Sequence, residues 1–230
     1  MKQLALALMI ALFLTACGAQ TGGGGDTAAT PTPDSPAGQT DGQTGDLSGS
    51  GPVLIAYFSV PETDGTDTVS SASRVLTDDG TVGNTQFIAQ AIQQEVGGDL
   101  FAIQTVQPYP GTHEALLDYV REEMQQDGRP ALAHSVENIE QYDVIFLGYP
   151  IWNADLPMPL YTFLEQYDLA GKTIIPFATH GGSGLAGTAA TIQSLQPDAS
   201  VVEDGLALAR GDVAGAAQQA MDWAAGFHLS

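Results

Sequence analysis

One apolar run settles the fold class. Residues 53–58 (VLIAYF) are followed at once by Ser59. Unbroken β-branched and aromatic residues read as a strand buried on both faces, which is a strand of a parallel sheet. Past an insertion, Gly83-Asn84-Thr85 opens a helical pattern in which Phe87, Ile88, Ala91, Ile92 and Val96 share one face. Strand, polar loop and helix start together make an anion site. Free backbone N–H groups and the positive end of the helix dipole face the ligand, and the Ser59 and Thr85 hydroxyls add donors. Such a nest holds a phosphate without basic residues, and the nearest one in sequence is Arg74. The competing reading is an ordinary helix cap at Asn84 or Thr85, which gives Ser59 nothing to do.

Downstream, strands and helices alternate. Strands are expected at 99–105, 143–149, 173–178 and 200–204, the last extending towards 209. Helices are expected at 112–126, 157–167, 185–195 and 212–227, and Gly97-Gly98 ends the first one. Short apolar strands separated by helices imply an α/β domain, a five-stranded parallel sheet with helices on both faces. Ligands of such sheets sit beyond the strand C-termini. Three loops lie on that edge: Ser59 with Gly83 to Thr85, then Pro150-Ile151-Trp152-Asn153, then Thr179-His180-Gly181-Gly182-Ser183-Gly184. The insertion at 60–82 ends in Ser73 to Thr77, Asp78-Asp79-Gly80 and Thr81-Val82, which reads as a hairpin or flap close to the ligand.

The start of the chain is of a different kind. Lys2, an apolar run over 4–14 and Leu14-Thr15-Ala16-Cys17 read as an export signal, too short to span a bilayer comfortably. Leu14 to Cys17 resembles a bacterial lipobox; the alternative is an ordinary signal peptide with an incidental Cys. The lipobox reading gives a signal peptide at 1–16 and a lipid on Cys17, the only Cys in the chain. Residues 17–51 are Gly, Thr, Asp, Pro, Ser and Gln with few large apolar side chains, a disordered tether to a domain at 52–230. The domain would then stand on the extracytoplasmic side, joined to the membrane by its lipid alone. With 27 acidic residues against 6 basic ones, nucleic acid is excluded as a partner.

From residue 53 onward the chain resembles the flavodoxin family, and in particular the flavodoxin-like lipoproteins of bacteria. Ser59 with Gly83-Asn84-Thr85, and the stretches GYPIWN and THGGSG at the right strand ends, carry the likeness. The departure is the insertion that splits Ser59 from Gly83. The resemblance implies a three-layer sandwich of strand order 2-1-3-4-5 and bound FMN. Ser59, Gly83, Asn84 and Thr85 would take its phosphate. Trp152 would stack on the isoalloxazine, with Pro150, Ile151 and Asn153 offering backbone groups. Thr179, Gly181, Gly182, Ser183 and Gly184 would meet the ring's polar edge. His180 is either near that edge or a solvent-facing loop residue, and Trp152 and the glycines also have plain readings as a core cover and a helix-start turn.

The function implied is electron transfer with an unidentified partner, protein or small molecule. An acidic surface would disfavour the anionic reduced flavin. An NAD(P)H-dependent quinone or nitro reductase, and a non-redox binding lipoprotein, are the alternatives. His113, His134 and His228 lack metal-ligand spacing, no Ser-His-Asp set is evident, and no G-x-G-x-x-G follows the first strand.

Overall fold

A computed structural model describes residues 46–63 and 73–229. The expected signal peptide, Cys17, the expected tether as far as residue 45 and residues 64–72 of the insertion lie outside the described residues.

The run at 53–58 is a strand, β1 (Val53–Tyr57), buried at every position. The insertion contributes an antiparallel hairpin, β2 (Arg74–Thr77) and β3 (Gly80–Gly83), turning at Asp78-Asp79. The helical pattern is α1 (Asn84–Val96), followed by β4 (Asp99–Ala102) and α2 (His113–Gln125). Next come β5 (Val144–Pro150), α3 (Met158–Gln166), β6 (Thr173–His180) and α4 (Thr188–Leu195). The chain closes with β7 (Ser200–Val201), β8 (Leu206–Ala209) and α5 (Ala217–Ala225).

The main sheet is parallel and runs β4-β1-β5-β6-β7, with β8 also on β6. Counting only the sheet's own strands, this is the order 2-1-3-4-5 expected above. β1 lies between β4 and β5, so the chain leaves it in opposite directions and opens a crevice at its C-terminal end.

The period of two in β1 sorts the core into two layers. Val53, Ile55 and Tyr57 pack with Ile88 and Ile92 of α1 and with Ala220 and Ala224 of α5. Leu54, Ala56 and Phe58 pack with Leu160 and Phe163 of α3 and with Ile192 of α4. Each large apolar side chain taken fully out of water contributes about 1.5–3 kcal/mol, so both faces of this strand anchor the domain.

The fifth strand differs from expectation: it is broken into β7 and β8. The cause is Pro176 in the middle of β6. Backbone groups alternate sides along a strand. Thr173 donates to Asp143 and Thr179 accepts from Ile151 on the β5 side, whereas Ile174 accepts from Val202 and His180 from Arg210 on the other side. Pro176 has the parity of Ile174, so its missing N–H falls where a continuous fifth strand would need it. The chain detours through Gly205, where a Cβ would collide with the Pro176 carbonyl.

The domain also begins earlier than residue 52. Leu47 packs against the α1/α5 layer, its N–H donates to the Phe227 carbonyl at 3.1 Å, and Gly51 N–H donates to the Asp143 carboxylate at 2.7 Å. Residues 46–51 are therefore docked rather than tether. The last helix is shorter than expected, with a single 3-10 turn at Val213–Gly215 ahead of it. On α2, Leu117 is 41% exposed, and Leu116 and Val120 are the buried pair.

Gly205→Ala tests the detour. Backbone cannot yield as a flexible side chain can, so the variant is expected to lose about 1–3 kcal/mol of stability in urea unfolding. An unchanged midpoint would contradict the close approach.

Candidate functional site

The three loops meet at the C-terminal edge of β1, β5 and β6 and line a cleft. Its cavity volume is about 160 Å³, and it opens to solvent.

The floor is the start of α1. Gly83 is the residue before the helix, at φ −71° and ψ 152°, and no side chain caps the helix. The Asn84 N–H donates instead to the Ser73 carbonyl at 3.1 Å. Asn84 and Thr85 are thus not serving as caps. Thr85 is buried, and its hydroxyl shares a 2.9 Å hydrogen bond with the Thr179 hydroxyl, which ties the first loop to the third. Asn84 is 3% exposed, and neither its Oδ1 nor its Nδ2 has a partner among the described residues. Leaving a buried amide unpaired costs about 1–3 kcal/mol. Gly83 lies so close to Ser59 that a Cβ would collide with the Ser59 Oγ. The two halves of the split loop are therefore rejoined in space. Ser59, Asn84 and Thr85 share a small recess that adjoins the cleft.

The second loop forms a wall. Ile151 N–H donates to the Thr179 carbonyl at 2.8 Å, extending the sheet. Trp152 and Asp155 then exchange backbone hydrogen bonds at 3.1 and 2.9 Å. Between them Asn153 and Ala154 take φ values of 48° and 60°, the left-handed pair that reverses a chain most tightly. The Trp152 ring stands edge-on to Phe58 at 5.3 Å and lies 5.4 Å from Tyr109. It covers the core and lines the cleft at once. Tyr109 is fixed in turn by a 2.6 Å hydrogen bond to Glu123, a carboxyl whose pKa burial raises.

In the third loop the structure divides the expected residues. Thr179 and His180 belong to β6 rather than to a loop, and with Gly181 they line the cleft. Gly182 N–H donates to His180 Nδ1 at 2.9 Å, so the neutral ring carries its proton on Nε2. Burial holds the His180 pKa below its ordinary 6.5, with Asp212 pulling weakly the other way. Gly182, Ser183 and Gly184 do not line the cleft. Gly182 and Ser183 are exposed, and the segment turns outward towards α4.

Three groups in the cleft escaped sequence reasoning. Glu62 is 4% exposed and pairs with His113 Nδ1 at 2.5 Å, joining the insertion to the start of α2. Leu116, Leu117 and Val120 give α2 an apolar wall. Arg210 follows β8 and lines the cleft beside Gly181, whereas Arg74 is turned to the Glu62 carbonyl. The strand-edge rule that selected the other loops also reaches Arg210, because it sits at a fifth C-terminal strand end. Nothing local marks Glu62 or His113, whose pairing joins distant parts of the chain. Among the described residues no group of His, Cys, Asp and Glu is arranged to hold a metal.

These residues fit a phosphate-bearing ligand with a planar ring. A buried, unsatisfied amide and two hydroxyls surround the recess at a helix start, and an immobilised indole edges the adjoining cleft. A doubly wound α/β sheet with such a crevice defines a mononucleotide-binding protein of the flavodoxin fold. The flavodoxin family's sequence profile matches residues 75–223, and the chain belongs to that family. The match starts inside the hairpin, so β1 and Ser59 are placed by the structure alone. A crystal structure of a candidate flavoprotein from Bacteroides eggerthii is 30% identical, with a TM-score of 0.53, covering 76% of this chain and 98% of that one. A flavoprotein from Lactobacillus acidophilus, solved in complex with FMN, shares the fold at 17% identity and a TM-score of 0.51, over 74% of this chain and 98% of its own. An FMN-dependent NADH:quinone oxidoreductase of Bacillus cereus is 32% identical over 95 residues, 39% of this chain and 44% of that protein. The chain spans less than half the length of the curated relatives it matches.

His180 provides a pH test. The unfolded chain takes up its proton near pH 6.5 and the folded protein only at lower pH. The neutral ring's contribution to stability is therefore complete above pH 6.5 and is lost as the pH falls through the folded value. NMR titration is expected to show His180 titrating below 6.5 from an Nε2–H tautomer. A midpoint above 6.5 would contradict this environment.

Proposed function

We propose that this flavodoxin-family protein is an electron-transfer lipoprotein, exported and anchored through Cys17, that exchanges electrons with a partner outside the cytoplasm. Its cofactor is FMN, which supplies the redox chemistry when bound. The observation that carries the reading is the Asn84 amide. It is buried at the first turn of α1 with nothing to bond, beside Ser59 and Thr85. A phosphate oxygen would accept from its Nδ2.

The chain's own residues bind and orient the cofactor. Ser59, Asn84, Thr85 and the free N–H groups of α1 hold a dianion with neutral donors. Trp152 presents a ring whose tilt is fixed by Phe58 and Tyr109, so stacking costs little side-chain entropy. Pro150, Ile151, Thr179 and Gly181 border the same space, where peptide groups other than the Ile151 N–H and Thr179 carbonyl, which bond each other, can meet the ring's polar rim. The anchoring rests on the lipobox-like Leu14-Thr15-Ala16-Cys17 alone.

A second reading is favoured by the wall of Leu116, Leu117 and Val120. Leu117 is 41% exposed at the cleft, a surface suited to an apolar aromatic acceptor such as a quinone. The Bacillus oxidoreductases that match this chain in part carry that activity in their names. Steady-state oxidation of NADH with a quinone by the FMN-loaded protein separates the two. Turnover indicates a reductase, and its absence with intact FMN binding indicates a carrier.

The binding test is a fluorescence titration of apoprotein with FMN and riboflavin. FMN is expected to bind with quenching, and riboflavin at least about tenfold more weakly, the value of a single good charged hydrogen bond. Asn84→Leu is expected to bring FMN close to riboflavin in affinity while raising the apoprotein's urea midpoint, since the buried amide is gone. Equal binding of the two flavins by the wild type would overturn the phosphate site.

A further inference from the structure

The chain has 6 basic side chains against 27 acidic ones. Five of the six lie among the described residues, and four of these have acceptors. Arg74 donates to the Glu62 carbonyl. Arg121 pairs with Asp118, and Arg129 pairs with Asp127 and Glu165. Lys172 donates to the Glu140 and Tyr142 carbonyls. The fifth is Arg210. Its guanidinium has no hydrogen bond or ion pair among the described residues, and it borders the cleft beside Gly181, whose Cβ position lies 3.5 Å from Arg210 Cζ. Carboxylates are not scarce. Asp212 is two residues away and influences His180, yet it makes no ion pair with Arg210. A half-buried cation left unpaired in so acidic a chain, and facing a ligand cleft, is available to a ligand's negative charge.

The ligand charge in question is not that of the phosphate. The recess around Ser59, Asn84 and Thr85 is lined without Arg210, and a neutral donor nest suffices there. Arg210 stands instead on the side of the cleft formed by His180 and Gly181. When an isoalloxazine takes up two electrons and one proton, it gains one negative charge. We propose that Arg210 compensates the charge that the flavin ring acquires on reduction, so that this protein retains reduced FMN against the repulsion of its acidic surface. The inference rests on the FMN reading above. Arginine stays protonated at every working pH, and a partly desolvated guanidinium attracts an anion several times more strongly than it would in bulk water. The electrons come from the unidentified redox partner, or from dithionite in the experiment.

The test uses the FMN-loaded protein at pH 8, where His180 is neutral, so that no second cation from that ring contributes. Wild type, Arg210→Gln and Arg210→Lys are compared for affinity towards oxidised FMN and riboflavin and for two-electron midpoint potential. Arg210→Gln is expected to bind oxidised FMN like the wild type and reduced FMN about tenfold more weakly, a fall of about 30 mV in potential. Arg210→Lys is expected to recover most of the loss. An unchanged potential overturns the inference. So does an Arg210→Gln variant that weakens both redox states of FMN equally and spares riboflavin, because the residue would then serve the phosphate. Wild type that binds FMN normally with variants of equal potential removes this inference alone. Wild type that binds no FMN removes the functional reading as well.

Discussion

The site depends on one contact that leaves no room for a side chain. Gly83 returns from the insertion directly onto Ser59. A loop that would ordinarily be short and continuous is interrupted by residues 60–82, yet its two ends are brought back together. The hairpin accounts for the second half of that path, because antiparallel pairing of β2 with β3 sets Arg74 beside Gly83. From that point α1 starts at a fixed place, Thr85 reaches Thr179, and Asn84 is held in the recess. The insertion adds to the cleft as well. Glu62, near its beginning, is locked to His113 on α2, so the segment that splits the loop also braces the opposite wall.

The apoprotein is built at a cost to its own stability. An unpaired buried amide and an alanine in the left-handed region at residue 154 each oppose folding. Strain of this kind persists where the surroundings over-determine it. Here they do so through the doubly buried β1 and the aromatic cluster under Trp152. A ligand that satisfies Asn84 returns part of that cost, so binding and folding are linked.

Most of the fold was legible because it rests on periodicity. Unbroken apolar strands and amphipathic helices announce a parallel sheet whatever their exact ends, and the strand order followed from the family resemblance. The hairpin was legible from Asp78-Asp79-Gly80. The broken fifth strand was less so. Pro176 stands in plain view, but its effect depends on which side of β6 its missing N–H would face, and that is a matter of register. At the site, residues at strand ends were found and those contributed by tertiary contact were not. Glu62 and His113 are joined only by the fold. The glycine run was read as one unit, whereas His180 accepts from Gly182 and the chain beyond it swings away. The repetition of glycines hides that division.

The interrupted fifth strand also has a consequence for how molecules of this protein meet one another. An open sheet exposes backbone donors and acceptors along its outer strands, and a long straight margin invites a second sheet to add to it. Here one margin is β7, two residues long, with β8 offset beyond the detour at Gly205, and the other is β4, four residues long. Neither offers a ladder on which another chain could propagate. A proline that breaks a strand from within thereby keeps one margin of the sheet short, while just past β4 the other margin is already partnered by Ala131 and Ala133, which bond to Val106 and Gln104.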